Sequence, residues 1–131
     1  MSSKQALATG LIAPWTGREG AECALRSHLK AAHGEGAGDD GIVMLSGNLG
    51  VEIIDAYPGV STPEGIHIGS TRAQMLKAYP DWRPVAEQDP NADGRGLPKV
   101  PGNSGAVYRI VTYKGKVVQL TLQLVHQDCY E

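Results

Sequence analysis

The sequence contains no phenylalanine and only two tryptophans and five tyrosines, so aliphatic side chains must form most of any hydrophobic core. It also has no run of like charges, and its net charge at pH 7 is only -2. A protein that binds nucleic acid or an anionic membrane by electrostatics needs a basic patch. We therefore predict neither kind of partner.

Long apolar segments are missing as well. No stretch approaches the roughly 20 apolar residues of a membrane-spanning helix, and residues 1–5 lack the apolar region of a secretory signal peptide. At 131 residues the chain can form one modest core. We predict an extended or partly disordered lead-in over residues 1–20 and a single domain over residues 21–131.

Cysteine is scarce, since only Cys23 and Cys129 are present. A disulfide between them would close a loop of roughly 100 residues and stabilise the fold by up to about 4.7 kcal/mol in the chain-entropy model. The alternative is two free thiols in a cytosolic protein. Neither a CxxC motif nor a His/Cys metal spacing is present. We favour the disulfide, and hence a secreted or extracytoplasmic protein whose signal segment lies outside this sequence.

Glycine and proline are abundant, at 17 and 8 residues, which indicates short elements joined by loops. Alternating or continuous apolar residues predict strands over 42–45, 51–56, 106–113 and 117–125, the first two forming a hairpin. The segment 22–29 fits either a strand or a helical face. Residues 81–105 form the longest irregular stretch.

The clearest helix signal lies within residues 65–80. Thr71 and Gln74 have the spacing of a capping box, with Ser70 as a competing cap, and Pro80 cannot continue a helix. The face predicted to be buried comprises Met75, Leu76 and Tyr79.

The last two strands can pair in two registers. A two-residue turn at Lys114 and Gly115 would place Arg109 opposite Leu120, whereas a three-residue loop would place Ile110 there. A slip of one residue moves a whole set of side chains to the other face, so the apolar match favours the three-residue loop. The predicted class is α+β: an antiparallel sheet of about four or five strands with one short helix packed on a face.

The sequence Thr-Pro-Glu-Gly-Ile-His-Ile-Gly-Ser-Thr at residues 62–71, with Tyr-Pro at residues 79–80, resembles a motif of small exported proteins and lipoproteins of bacteria. In that family one cysteine precedes a hairpin and another closes the chain. Cys23, the hairpin at 42–56 and Cys129 lie at matching positions. The resemblance implies a strand at 22–29. Because most members have no known activity, it implies no functional residues.

The same segment also looks like the repeat of beta-lactamase inhibitor protein and of the small outer-membrane-assembly lipoproteins. Those are helix-on-sheet modules that bind other proteins. The resemblance implies that the chain is a secreted or surface-tethered, non-enzymatic module that binds other proteins. The likeness to beta-lactamase inhibitor protein further implies an inhibitor-like role. Its partner would be a protein.

We expect the binding surface on the open face of the last strand or in the loop over 81–105. The strand carries a polar stripe of Gln119, Thr121 and Gln123. Trp82 opens the loop, and aromatic residues are enriched at binding hot spots.

Asp89, Asn91 and Asp93, followed by glycine, match the opening of a calcium-binding loop. The glutamate that should close such a loop is replaced by Val100, and an ordinary Asx-rich turn explains the same residues. The three residues that do match the pattern make a calcium-stabilised extracellular domain the alternative function. We expect no other cofactor.

Residues 102–105, Gly-Asn-Ser-Gly, are similar to the nucleophile turn of chymotrypsin-like proteases. The chain is far too short for the two barrels of those enzymes. A small hydrolase using Ser104 is a remote alternative, and we predict no catalytic residue.

Overall fold

The computed structural model describes residues 1–17, 23, 25–32, 41–47, 49–127 and 129. The chain divides into two compact units. Unit 1 comprises Met1–Asp55 and His126–Glu131, and unit 2 comprises Ala56–Val125. The described residues form seven strands, whose pairs within each unit are antiparallel, and two short helices. The antiparallel, sheet-dominated fold is thus confirmed, with more strands and one more helix than predicted.

In unit 1 three strands pair in the order β1, β2, β3. They span Leu25–His28, Ile42–Ser46 and Gly50–Asp55. The predicted hairpin at 42–56 is therefore present. The strand favoured at 22–29 is present at Leu25–His28. Cys23 lies in a turn, and Glu22 and Ala24 lie outside the described residues.

The segment predicted as an extended or partly disordered lead-in over residues 1–20 contains a helix in its described part. Helix α1 spans Ser3–Ala8. Ser2 and Gln5 cap it reciprocally, a capping box that the sequence carries but that the sparse apolar pattern obscured. The chain after α1 is bridged to Arg26 of β1 by Thr16 and to Leu29, the residue after β1, by Ile12.

Cys23 and Cys129 form a disulfide within unit 1, so this prediction is confirmed. Their Cα atoms are 5.4 Å apart, although 106 positions separate them in sequence. The buried cluster of unit 1 comprises Ala6, Ile12 and Val43, with Trp15, Leu29, Val51 and Ile54 packed against it.

Unit 2 is built on a long central strand. Strand β6 spans Asn103–Tyr113 and pairs with β7, Lys116–Leu124, along one edge. Along its other edge it pairs with two short strands, β4 at Gly94–Gly96 and β5 at Lys99–Val100. Both short strands lie in the stretch predicted to be irregular.

The β6–β7 register combines both predicted alternatives. Ile110 lies opposite Leu120, as the apolar match predicted, yet the connection is the two-residue turn. Lys114 and Gly115 have φ values of 50° and 73°, and positive φ at both central residues matches a type I′ hairpin turn. The prediction of a three-residue loop is therefore wrong.

A β-bulge reconciles this turn with that register. Val111 pairs with Gln119 but its neighbour Thr112 pairs with Val117, so Val118 is the extra residue. With a two-residue turn and no bulge, the apolar residues of β6 and β7 would face opposite sides of the sheet. The bulge returns them to the same face.

Helix α2 spans Arg72–Ala78 and packs against this hairpin. The predicted capping box is present, with Thr71 as the N-cap and Gln74 returning the hydrogen bond. The buried cluster of unit 2 comprises Ile66, Met75, Tyr79, Trp82, Tyr108, Ile110, Val117 and Leu120.

Neither helix in the described part of the chain has the length and apolar character needed to cross a membrane.

Candidate functional site

Two consecutive turns lead into α2 and form one wall of a cleft. In the first, the N–H of Gly65 donates to the carbonyl oxygen of Thr62. In the second, the N–H of His67 donates to Oγ of Ser70, and the N–H of Ser70 donates to the carbonyl oxygen of His67. Gly65 and Gly69 have φ values of 87° and 98°, which other residues rarely adopt.

The cleft lies between these turns and α2, entirely within unit 2, and has a volume of about 440 Å³. This volume is within the range of ligand-binding clefts, roughly 300–1,000 Å³. Ile66 and Ala78 contribute apolar surface to its wall. The polar side chains that line it are Glu64, His67, Ser70, Gln74 and Lys77.

The buried hydroxyl of Tyr79 forms a hydrogen bond with Glu64, the carboxylate that lines the cleft. The Tyr79 hydroxyl lies 2.7 Å from both Oε1 of Glu64 and Oγ1 of Thr62. A phenol has one proton, which it donates to the carboxylate as the stronger acceptor, so the Thr62 hydroxyl donates to Tyr79. Burial raises the pKa of Tyr79, and the hydrogen bond to Glu64 raises it further, so the phenol stays neutral at physiological pH.

The neighbouring Tyr108 shares this environment, with its ring centroid 5.3 Å from that of Tyr79. Burial raises the pKa of Tyr108, and the negative charge of Glu64 adds to the effect. Glu64 therefore faces two neutral phenols.

His67 presents one ring nitrogen to the cleft. Its Nδ1 lies 2.8 Å from the carbonyl oxygen of Ile68, which can only accept, so Nδ1 carries the proton in this arrangement. The imidazole is exposed. Nε2 is therefore the atom available to a ligand.

The helical wall contributes Gln74 and Lys77, which share a face at positions i and i+3. Oε1 of Gln74 accepts from the N–H of Thr71, and its amide Nε2 has no acceptor among the described residues. In the part of the chain that the structure describes, the Lys77 ammonium has no hydrogen-bond acceptor or ion-pair partner.

The cleft thus combines apolar surface with a carboxylate, an ammonium, a carboxamide and an imidazole. It is suited to holding a group that is partly apolar and carries polar atoms. Ser70, the one hydroxyl side chain in its lining, is buried and accepts from the N–H of His67.

The residues predicted to form a binding surface lie elsewhere, and most are buried. Trp82 is 0% exposed, and its Nε1–H donates to the carbonyl oxygen of Ile110. A side chain predicted to take part in binding is therefore inaccessible to a partner in this structure. Its indole fills the core beyond the end of α2.

The polar stripe on β7 is also largely inaccessible. Thr121 and Gln123 are 0% and 5% exposed, and Oε1 of the half-buried Gln119 accepts from the guanidinium of Arg109. Leu120, next to Thr121, is buried as well, so both faces of the strand are covered at this point. The stripe does not form an open face.

The predicted calcium loop is joined to α2 by a guanidinium. Arg72 donates to the carbonyl oxygen of Asn91 and to Oδ1 of Asp93, while Oδ1 of Asp89 accepts from the N–H of Asn91. A calcium ion would have to compete with Arg72 for Oδ1 of Asp93, one of the side-chain oxygens that the sequence pattern assigns to it.

Ser104 is exposed in a local turn at the start of β6. The adjacent Asn103 accepts the N–H of Gly105 through its side chain. This is an ordinary Asx turn.

The cleft was not predicted from the sequence pattern. Gln74 was assigned a capping role, but nothing in the periodicity shows that Glu64, His67 and Lys77 line the same space. The available signal was the pair of glycines at 65 and 69, which predicts two tight turns folded against the helix.

Comparisons of the chain with protein-family models, with curated proteins and with solved structures gave no match.

Proposed function

We propose that this chain is a secreted or surface-tethered, non-enzymatic protein-binding module, and that the cleft beside α2 receives a side chain of its partner. The observation that carries the proposal is the lining of the cleft. It combines apolar surface from Ile66 and Ala78 with polar atoms of His67, Gln74 and Lys77 that have no partner among the described residues. Such a combination is typical of a pocket that fixes the orientation of a bound group.

The support of the cleft also favours binding. The hydroxyl of Tyr79, the C-cap residue of α2, is hydrogen-bonded to Thr62 and Glu64 of the first turn. The N–H of Gly69 donates to the carbonyl oxygen of Val117, which fixes the second turn to β7. Because the turns are tied both to the end of α2 and to β7, the cleft is preformed, and little conformational entropy is lost on binding.

The location outside the cytoplasm is supported by the disulfide. Both cysteines of the sequence are used in it, and such bonds persist in oxidising compartments. The resemblance of residues 62–80 to exported bacterial proteins points in the same direction. An inhibitor-like role would place a residue of the inhibited protein in the cleft.

Site-specific photo-crosslinking tests the proposal. Lys77 is replaced by a photoreactive amino acid, and the protein is irradiated with the extracytoplasmic fraction of the cells that produce it. Lys99 provides the matched control, because it is also an exposed lysine of unit 2 but lies outside the cleft. We expect a discrete protein adduct from position 77 and none from position 99.

The captured protein then allows a quantitative measurement. Lys77→Glu should weaken its affinity by at least about tenfold, whereas Lys99→Glu should change it little. Identical adducts from both positions, or equal affinities of the two charge-reversal variants, would refute the cleft as the binding site.

A further inference from the structure

A disulfide and a buried carboxylate meet in unit 1. The Sγ atoms of Cys23 and Cys129 and a carboxylate oxygen of Glu52 all lie within 4.8 Å of one another. Glu52 belongs to β3 and is 3% exposed, whereas both cysteines are half-buried and therefore accessible to a small reagent. The proposed binding function uses none of the three.

The chemistry of this cluster depends on its oxidation state, because a disulfide sulfur is a poor ligand for a cation. A dithiol reductant supplies two electrons and two protons, so the S–S bond breaks, two thiols form and the reductant becomes a disulfide. Loss of one proton from each thiol leaves two thiolates beside the carboxylate.

We propose that reduction of the Cys23–Cys129 disulfide creates a zinc site whose protein ligands are the two thiolates and Glu52. Zn²⁺ binds thiolate and carboxylate in tetrahedral geometry, and with three protein ligands it retains one position for water. Thiolate ligands select against Mg²⁺ and Ca²⁺. The disulfide and the zinc ion are thus alternative cross-links between the same two residues.

The backbone supports this exchange. The two Cα atoms are 5.4 Å apart, so both sulfurs can reach one ion at about 2.3 Å with little backbone movement. Cys23 has a φ of 57°, in the left-handed region that residues other than glycine rarely adopt. Backbone outliers of this kind are concentrated at ligand-binding and switching sites. Glu52 is held on a strand that pairs with β2.

Cobalt provides the first test, because thiolate–Co²⁺ complexes absorb in the near ultraviolet. The protein is reduced anaerobically, freed of reductant and titrated with Co²⁺. We expect a charge-transfer band that saturates at one ion per chain and disappears when Zn²⁺ is added, and no band from the oxidised protein. X-ray absorption at the zinc edge should show sulfur at about 2.3 Å and oxygen at about 2.0 Å.

Variants separate the ligands. Glu52→Gln should weaken zinc affinity at least about tenfold, and the double variant Cys23→Ser/Cys129→Ser should lose the charge-transfer band. Asp55→Asn, at the other buried acid of β3, should bind as the wild type does. A reduced wild type that binds zinc no more tightly than the double serine variant overturns the proposal, as does a folded Glu52→Gln with unchanged affinity.

Two outcomes concern folding. If reduction unfolds the chain, zinc should restore its circular dichroism, and failure to do so overturns the proposal. If Glu52→Gln does not fold, infrared difference spectra of the reduced wild type replace it. The proposal then requires the carboxylate stretching bands to shift when zinc is added, and unchanged bands overturn it.

Discussion

The indole of Trp82 lies against the Cα of Gly96 in β4, while its Nε1–H donates a hydrogen bond to the carbonyl oxygen of Ile110 in β6. A Cβ atom at position 96 would overlap the indole ring and lie 2.6 Å from the carbonyl oxygen of Arg83. Position 96 therefore accepts only glycine while the indole occupies its present place.

Gly96→Ala should destabilise the protein by about 3 kcal/mol, because an added methyl group in a packed core forces side chains and backbone apart. Chemical denaturation monitored by tryptophan fluorescence measures the loss. Gly105→Ala is the matched control. It lies on β6 at an exposed position where the nearest atom, Oδ1 of Asn103, would be 3.4 Å away. Equal stabilities of the two variants would contradict the packing described.

Trp82 also shows where sequence reasoning stops. The helix end before it was predictable, because the capping box at Thr71 and the proline at position 80 are local signals. Its burial depends on β4, a three-residue strand in a stretch without periodicity. Only the pairing of that strand with β6 places Gly96 under the indole.

The β6–β7 hairpin was likewise predictable only in part. The alternation of apolar residues predicted that Ile110 and Leu120 are buried on the same face and therefore lie opposite each other. The bulge at Val118 was not predictable, since the alternation shows which residues are buried together but not that an extra residue allows a two-residue turn to keep that register. Thr121 was assigned to an open face because alternation separates two faces without showing that both are covered.

Tyr79→Phe should lower the free energy of unfolding by about 1–2 kcal/mol, because it removes the hydroxyl that hydrogen-bonds Thr62 and Glu64. Urea denaturation near neutral pH gives the difference. Tyr113→Phe serves as the control, since this tyrosine is 60% exposed and its substitution should have almost no effect. A loss of similar size in both variants would mean that the buried network contributes little.

The same tyrosine predicts a loss of stability in alkali. Its pKa is raised in the folded state by burial and by the hydrogen bond to Glu64. A group with a raised pKa contributes stability that is fully present below its unfolded pKa, about 10, and is lost as the pH rises through the folded value. The difference in stability between wild type and Tyr79→Phe should therefore decrease above about pH 10. A difference that grew in this range would have the wrong sign for a raised pKa.

Calcium should leave the melting temperature unchanged. Arg72 already occupies the carbonyl oxygen of Asn91 and one carboxylate oxygen of Asp93, and an ion would have to displace this guanidinium. Differential scanning calorimetry with millimolar CaCl₂ and with EDTA measures the effect. A rise in melting temperature that EDTA reverses and Asp89→Asn abolishes would instead establish the calcium-stabilised alternative.

Asp93 predicts a loss of stability in acid. Desolvation opposes its ionisation, but hydrogen bonds and a neighbouring positive charge outweigh that effect and hold its pKa below the ordinary value. The hydrogen bonds come from the N–H groups of Gly115 and Lys114 and from the hydroxyl of Thr112, and the charge is that of Arg72. The carboxylate thus connects the 89–93 loop, α2 and the β6–β7 turn.

A group with a lowered pKa contributes stability above its unfolded pKa, about 3.9, and this contribution is lost as the pH falls through the folded value. Wild type should therefore be more stable than Asp93→Asn at neutral pH, and the difference should disappear in strong acid. Urea midpoints between about pH 7 and pH 2 measure it. Asp89→Asn removes a charge from the same loop without breaking an ion pair to Arg72, and should be nearly neutral throughout. A constant difference between wild type and Asp93→Asn across this range would show that the amide disrupts packing, with the lowered pKa playing no part.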